Sequence, residues 1–402
     1  MPVSSKDTQA TQKASGPKAK KTKKKRGLLF RVLSFVIMTA LVLGGVALVV
    51  YRDELNIDAL RRAIAYRKLE RSATGQSTEF QYEEDTSNRF DTYRGGLLVA
   101  STTNIQLFAQ SGSVLFSENI FMSDPALCTT DNYAVVYDIG GSQLVAFTDM
   151  QASLQLNLED NLSIFSAQLN DSGWLAVTTQ ESGYKAVVHV YNNEQNLVYQ
   201  WNSSSHFVTD AVVYNDCNTM AAVSIGQNGT EYQSTLSLFR LDSEDLYASL
   251  DLGNRLVLSV TAMGNRVCVL TESEILFVDA EGQLIGSFPY SSQYLRACSL
   301  EGDDFAALQL GKYRAGSIGE LVTVDSSGTV IATLSLSEDI ISLSAAGRYV
   351  AVLYADRLEI YDKELQLYAQ LNGTENARNA LVREDGSVMF IGAGTAWLYI
   401  PG

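Results

Sequence analysis

The feature that most limits what this chain can fold into is a repeated hairpin. The stretch ILFVDAEGQLIGSF, beginning at Ile275, returns as LVTVDSSGTVIATL, beginning at Leu321, and the same pattern recurs in eight copies. Their anchors are Phe108, Phe147, Tyr191, Phe239, Val278, Val324, Tyr361 and Tyr399, spaced 39, 44, 48, 39, 46, 37 and 38 residues apart. Upstream of each anchor lie two more short apolar runs, such as VLSVTAMG and NRVCVL, the first ending in a Gly, Asp or Asn turn. A four-stranded sheet of this kind cannot bury both faces alone. It needs a neighbour on each side, so the unit is copied until the ring closes. The expected fold is all-β, an eight-bladed β-propeller, with seven blades as the alternative count.

The chain ends support closure. The last copy stops at Gly402 after three strands, and Ser77–Glu83, STEFQYE, is expected to supply the missing outer strand. In the turns VDAEG and VDSSG, Asp279 and Asp325 are placed to accept backbone hydrogen bonds two residues on. Gly282 and Gly328 suit the left-handed position there.

The N-terminal region reads differently. Residues 1–27 carry eight Lys and one Arg against one Asp, whereas Ser72–Gly402 has a net charge of −26. From Val32 to Tyr51 there are 20 uncharged residues, enough for a helix of about 30 Å, the thickness of a bilayer's hydrocarbon core. The run exceeds a signal peptide's apolar region and lacks a small-residue cleavage site after it. The expected organisation is a basic cytoplasmic tail (1–27), a transmembrane helix (28–51), a short helical stalk and linker (52–76) and the propeller (77–402). The denser Lys flank places the N-terminus in the cytoplasm and the propeller outside the cell membrane. In the stalk, Leu55, Ile57, Leu60, Ile64 and Leu69 partly follow a helical period, and the five basic residues from Arg61 to Arg71 are candidates for anionic headgroups.

The anchor, RRAIAYRKLE, FQYEED and the GLLVASTTNIQLFAQSG start together resemble uncharacterised single-pass propeller proteins of Gram-positive bacteria, which carry a domain of unknown function. The repeats are similar to the quinoprotein-like and outer-membrane-assembly type of eight-bladed propeller. These motifs are structural. The resemblance implies an architecture and carries over no functional residue.

Chemistry is sparse in the sequence. His189 lies in the strand AVVHVY and His206 in a loop, with no second ligand spaced for a metal site. Cys128, Cys217, Cys268 and Cys298 are far apart in sequence and read as buried free thiols. Carboxylates fall mostly in turns, and Trp174, Trp201 and Trp397 read as strand and core residues. No sialidase-type Asp-box, WD dipeptide or quinone-docking motif is present. The expectation is a non-enzymatic protein without cofactor or metal, and the acidic body disfavours nucleic acid.

Loop length is more informative. The loop between the second and third strands is short in blades 1, 5 and 7 and long in blades 3, 4 and 6. The long loops carry Tyr184, Lys185, Tyr232, Lys312, Tyr313 and Arg314, residue types favoured as interface anchors. These six are the candidate partner-binding residues. The function expected from the sequence is a protein-binding scaffold of the cell envelope. The alternatives are a ligand sensor signalling through a membrane partner and an enzyme on wall polymer.

Overall fold

The computed structural model describes residues 32–39, 42, 57–158 and 162–402. Its two compact units are Met1–Ile57 and Asp58–Gly402. The basic tail and most of the expected span, Leu28–Tyr51, lie outside the described residues. Val32–Thr39 are helical and exposed, and no helix among the described residues is long and apolar enough to cross a membrane.

The second unit holds eight four-stranded antiparallel sheets. Blades 1 to 7 run in chain order over residues 89–118, 125–157, 163–203, 207–253, 257–289, 294–336 and 342–372. Blade 8 takes three strands from residues 379–399, and its outer strand is Phe80–Gln81 from the other end of the chain. Phe80 pairs with Ala396 and Gln81 with Thr395, as the truncated last repeat predicts. Around this ladder Leu398 N donates to Ser77 Oγ (2.9 Å) and Ile400 N to the Gly75 carbonyl (2.9 Å). The Phe80 ring packs 5.2 Å from that of Phe108, tying the closing strand to blade 1.

Within a blade, strands A to D run from the channel outward. The B strands are buried along almost their whole length, as in Gly96–Ala100, Phe305–Gly311 and Tyr349–Leu353. Their runs of Ala, Val and Leu fit a surface covered on both sides. The D strands alternate or open to solvent, as in Gln151–Asn157. The repeated anchors of blades 1 to 7 each mark a bulge. At Phe108, Phe147, Tyr191, Phe239, Val278, Val324 and Tyr361 the C–D register slips by one residue. An extra residue there sharpens the local twist and bends the outer strand. The predicted turn chemistry is present: Asp279 Oδ1 accepts from Glu281 N (3.1 Å) and Gln283 N (2.8 Å), with φ 80° at Gly282.

Helix α1, Ile57–Ala65, is shorter than the expected stalk and its seam is polar. Asp58, Arg62 and Tyr66, four residues apart, share a face and dock on blades 7 and 8. Asp58 pairs with Arg348 (3.0 Å) and accepts from Tyr349 OH (2.8 Å). Arg62 donates to the Asp385 carbonyl and to Tyr368 OH (2.6 Å), and Tyr66 OH donates to Asp385 Oδ2 (2.8 Å). Ile64, read as part of an apolar stripe, is 70% exposed, while Arg62, read as available to headgroups, is 2% exposed. The expectation fails at Ile64 and Arg62, where the propeller offers α1 carbonyls, phenols and carboxylates, while Leu69 packs on a core cluster as an apolar stripe would. Trp174 also departs slightly from expectation: it precedes its strand and is half-buried, packing with Trp201 on one core cluster.

Candidate functional site

The ring has two loop faces. Turns joining A to B and C to D share one: Tyr214, in an A–B turn, donates to the Asp279 carbonyl of a C–D turn (2.9 Å). The B–C loops and the connections between blades open on the other face.

All six candidate residues stand on that second face. Tyr184 and Lys185 occupy the B–C loop of blade 3. In blade 4 the expected long loop is instead strand: Thr219–Asn228 and Glu231–Arg240 pair down to Asn228 and Glu231, and Tyr232 lies on the second strand beside the hairpin tip, because the ladder simply continues past the blade. Lys312, Tyr313 and Arg314 form the blade 6 loop, which Arg296 fastens by donating to the carbonyls of Tyr313 (2.7 Å) and Gly316. Tyr232 is 76% exposed and Tyr313 56%. The loops share the face and, among the described residues, make no hydrogen bond or ion pair with one another.

Residues that the loop-length argument missed join them from the connections between blades. Lys185 Nζ lies 5.0 Å from the Phe207 ring centroid, and Arg314 Cζ lies 5.5 Å from that of Tyr294. Lys312 Nζ sits 5.7 Å from the Tyr313 ring. Leu256 and Leu258, where the chain enters blade 5, are exposed as well. Phe207 and Tyr294 each open a strand A, and in sequence such residues look like ordinary strand starts.

Four other arginines on this face are neutralised, while Arg296 has no ion pair among the described residues and is held by the blade 6 loop carbonyls. Arg89 pairs with Asp124, Arg255 with Glu274, Arg357 with Glu338 and Arg378 with Glu84. Among the described residues Lys185, Lys312 and Arg314 have no ion pair.

The channel is a cavity of about 930 Å³ lined by A strands and A–B turns. Asp91, Asp131, Asp171, Glu301, Asp303 and Glu384 project along it. Burial pushes the Asp91 carboxyl up to about 6, although Thr129 Oγ1 (2.6 Å) and Thr92 N (2.7 Å) donate to it. Glu301, open to the channel and enclosed by protein, is held well above the usual carboxylate range by desolvation and by the charge of Asp91. A hydrogen bond with Asp131, then burial, raises Glu384 to about 7. Behind the wall, burial carries Asp210 to about 6, despite hydrogen bonds from Val260 N (3.0 Å) and Gln168 Nε2 (3.2 Å).

Among the described residues, no group of three or more His, Cys, Asp or Glu side chains is arranged to hold a metal ion. Burial lowers the pKa of His189, which sits 3.5 Å from Glu181. His206 Nδ1 shares a hydrogen bond with Ser205 Oγ (2.8 Å) in a connection between blades. The four cysteines are free, and desolvation raises the Cys128 thiol to about 12, far from a reactive thiolate.

With eight closed blades established, the comparisons place the chain. A family model described as a family of unknown function, DUF5711, matches residues 66–395. The chain belongs to the DUF5711 family. The match begins at Tyr66, whose hydroxyl reaches Asp385, and ends in the last strand. No curated protein is similar in sequence. Among solved structures, the computationally designed Ika8 protein has a TM-score of 0.55 at 16% identity, covering 80% of this chain and 98% of its own. The C-terminal WD40 domain of Sif2 has a TM-score of 0.54 at 14% identity, covering 83% and 98%. BamB from Moraxella catarrhalis has a TM-score of 0.50 at 13% identity, covering 81% and 98%. At these identities the likeness is one of fold. This DUF5711 chain therefore shares the BamB-like propeller architecture, and its chemistry is read from its own residues.

Proposed function

We propose that this DUF5711 protein is a non-enzymatic binding scaffold of the cell envelope. It is tethered by residues 28–51, with its N-terminus cytoplasmic and its propeller outside, and it captures a protein partner on the face of the B–C loops. The observation that carries the binding face is the gathering of exposed Tyr184, Tyr232 and Tyr313 with the unpaired cations Lys185, Lys312 and Arg314 on one side of an otherwise acidic ring. Aromatic and Arg side chains standing free of the core favour recognition. The uncharged Val32–Tyr51 run behind a Lys-rich tail supports the tether.

Two measurements test the reading. Protease added to intact cells should release or digest the propeller and leave a small anchored fragment; protection until the membrane is breached would refute the orientation. The combined variant Tyr232→Ala, Tyr313→Ala and Arg314→Ala should weaken partner capture with a nearly unchanged melting temperature. Asp279→Ala with Asp325→Ala, on the opposite face, should lower stability modestly and spare capture. The reverse pattern would place recognition on the wrong face.

A further inference from the structure

We infer that the arc from blade 3 to blade 6 docks an extended acidic segment of a partner protein, with aromatic or aliphatic side chains set between its carboxylates. The inference rests on the proposed binding face and adds the chemistry of its occupant. Lys185, Lys312 and Arg314 stay unpaired on a body of net charge −26, while Arg89, Arg255, Arg357 and Arg378 on the same face are matched by carboxylates and Arg296 is engaged by loop carbonyls. A cation left free against such a background is a local well for an anionic group, and it steers approach.

The arc is also prepared to receive one. Lys185 and Arg314 are held over Phe207 and Tyr294, and Arg296 pins the loop that carries Arg314. Holding the cations in place before contact reduces the ordering cost of binding. Tyr232, Leu256 and Leu258 offer apolar contact as well. A basic segment would meet like charge at each of the three cations. A nucleic acid would gain those few contacts against the repulsion of the whole body, so an acidic polypeptide suits the surface better.

The test uses the full chain in detergent or nanodiscs and fluorescent peptides of about twelve residues, long enough to span several blades when extended. One peptide alternates Glu with Leu and Trp, a second replaces Glu by Lys, and a third replaces the apolar residues by Ser. A single-stranded oligonucleotide forms the fourth arm. Only the Glu–Leu–Trp peptide should bind, and its affinity should fall several-fold between about 50 and about 200 mM salt. The combined variant Lys185→Ala and Arg314→Ala should weaken it at least ~tenfold. Arg314→Lys should retain part of the affinity, and Glu281→Ala on the other face should retain all of it. Equal binding of the Lys or Ser peptide, preference for the oligonucleotide, indifference to the cation variants, or no peptide binding would each overturn the inference. A photocrosslinker at position 232 or 281 in the membrane form separates this failure from that of the face itself. Crosslinks from 281 alone would refute the face. Crosslinks from 232 without peptide charge preference would refute only the acidic occupant.

Discussion

Arg62 is a cation buried to 2% exposure with no ion pair among the described residues. Its charge is met by the Asp385 carbonyl, Tyr368 OH and the Tyr368 ring, 5.7 Å from Cζ. Charge-assisted hydrogen bonds of this kind, once removed, leave buried acceptors unmet. Arg62→Ala should cost about 2–3 kcal/mol in urea unfolding. Arg61→Ala, one residue away with its side chain 67% exposed, should change stability by less than about 0.5 kcal/mol. Equal effects would mean that α1 docks through general helix contacts rather than through this seam.

The carboxyls in and behind the channel wall give a pH dependence with a definite sign. Asp91 and Asp210 ionise at about 6 and Glu384 at about 7, all above the ordinary carboxyl values of about 4. The folded chain holds these protons where the unfolded chain has lost them. Their stabilising contribution is therefore full below about pH 4 and is lost as pH rises through 6 to 7. Asp325 runs the other way. Burial opposes its ionisation, but hydrogen bonds from Ser327 and Thr329 hold its carboxyl low, so its contribution is present above about pH 4 and lost on acidification. Unfolding measured between pH 5 and 8 should show wild-type stability falling towards pH 8. Asp91→Asn with Glu384→Gln should flatten the decline, and an unchanged slope would assign it elsewhere.

Blades were legible in sequence because each must repeat the same burial problem. The anchors from Phe108 to Tyr361 sit where strand C meets a one-residue bulge, and that constraint returns about every forty residues. Phe80–Gln81 was legible as an outer strand because the eighth copy lacked one. Helix α1 was legible as a helix, but its docking face was not. Asp58, Arg62 and Tyr66 form no hydrophobic period, and their partners lie some three hundred residues away. The channel acids escaped for the same reason. Asp91, Asp131, Glu301 and Glu384 come from blades 1, 2, 6 and 8 and are neighbours only once the ring exists. The candidate face was half legible: long spacers announced Tyr232 and Arg314, though Tyr232 proved to lie on an extended strand, while Phe207 and Tyr294 passed for strand residues. The closing element itself can be tested by Phe80→Pro, which removes a strand pairing and the ring packed on Phe108. It should destabilise by about 2–4 kcal/mol, seen as a lower melting temperature. A chain beginning at Gly95 should aggregate or melt well below one beginning at Ser72.

For the molecule as a whole, closure decides whether the blades unfold together. A linear array of repeats can lose its end unit first, whereas a ring gives each blade two neighbours. The intact protein should unfold in urea in one transition by fluorescence and circular dichroism alike. Phe80→Pro should separate the two probes. Trp397, 5% exposed in blade 8, would report an early local opening before the remaining sheets are lost. Coincident curves for that variant would mean that blade 8 is held by its other neighbours without the N-terminal strand.

The pairing of Phe80 with Ala396 also sets a clock. More than three hundred residues separate the two, and synthesis proceeds at about 5–20 residues per second, so Phe80–Gln81 waits roughly 15–60 s for its partner. During that interval blade 1 has no blade 8 beside it, and its apolar flank, including Leu97, Val99 and Phe108, is uncovered. Blade 8, made more than three hundred residues later, is what seals it. A chain stopped before the strand Thr395–Tyr399 would therefore leave blade 1, at the other end of the ring, unfinished.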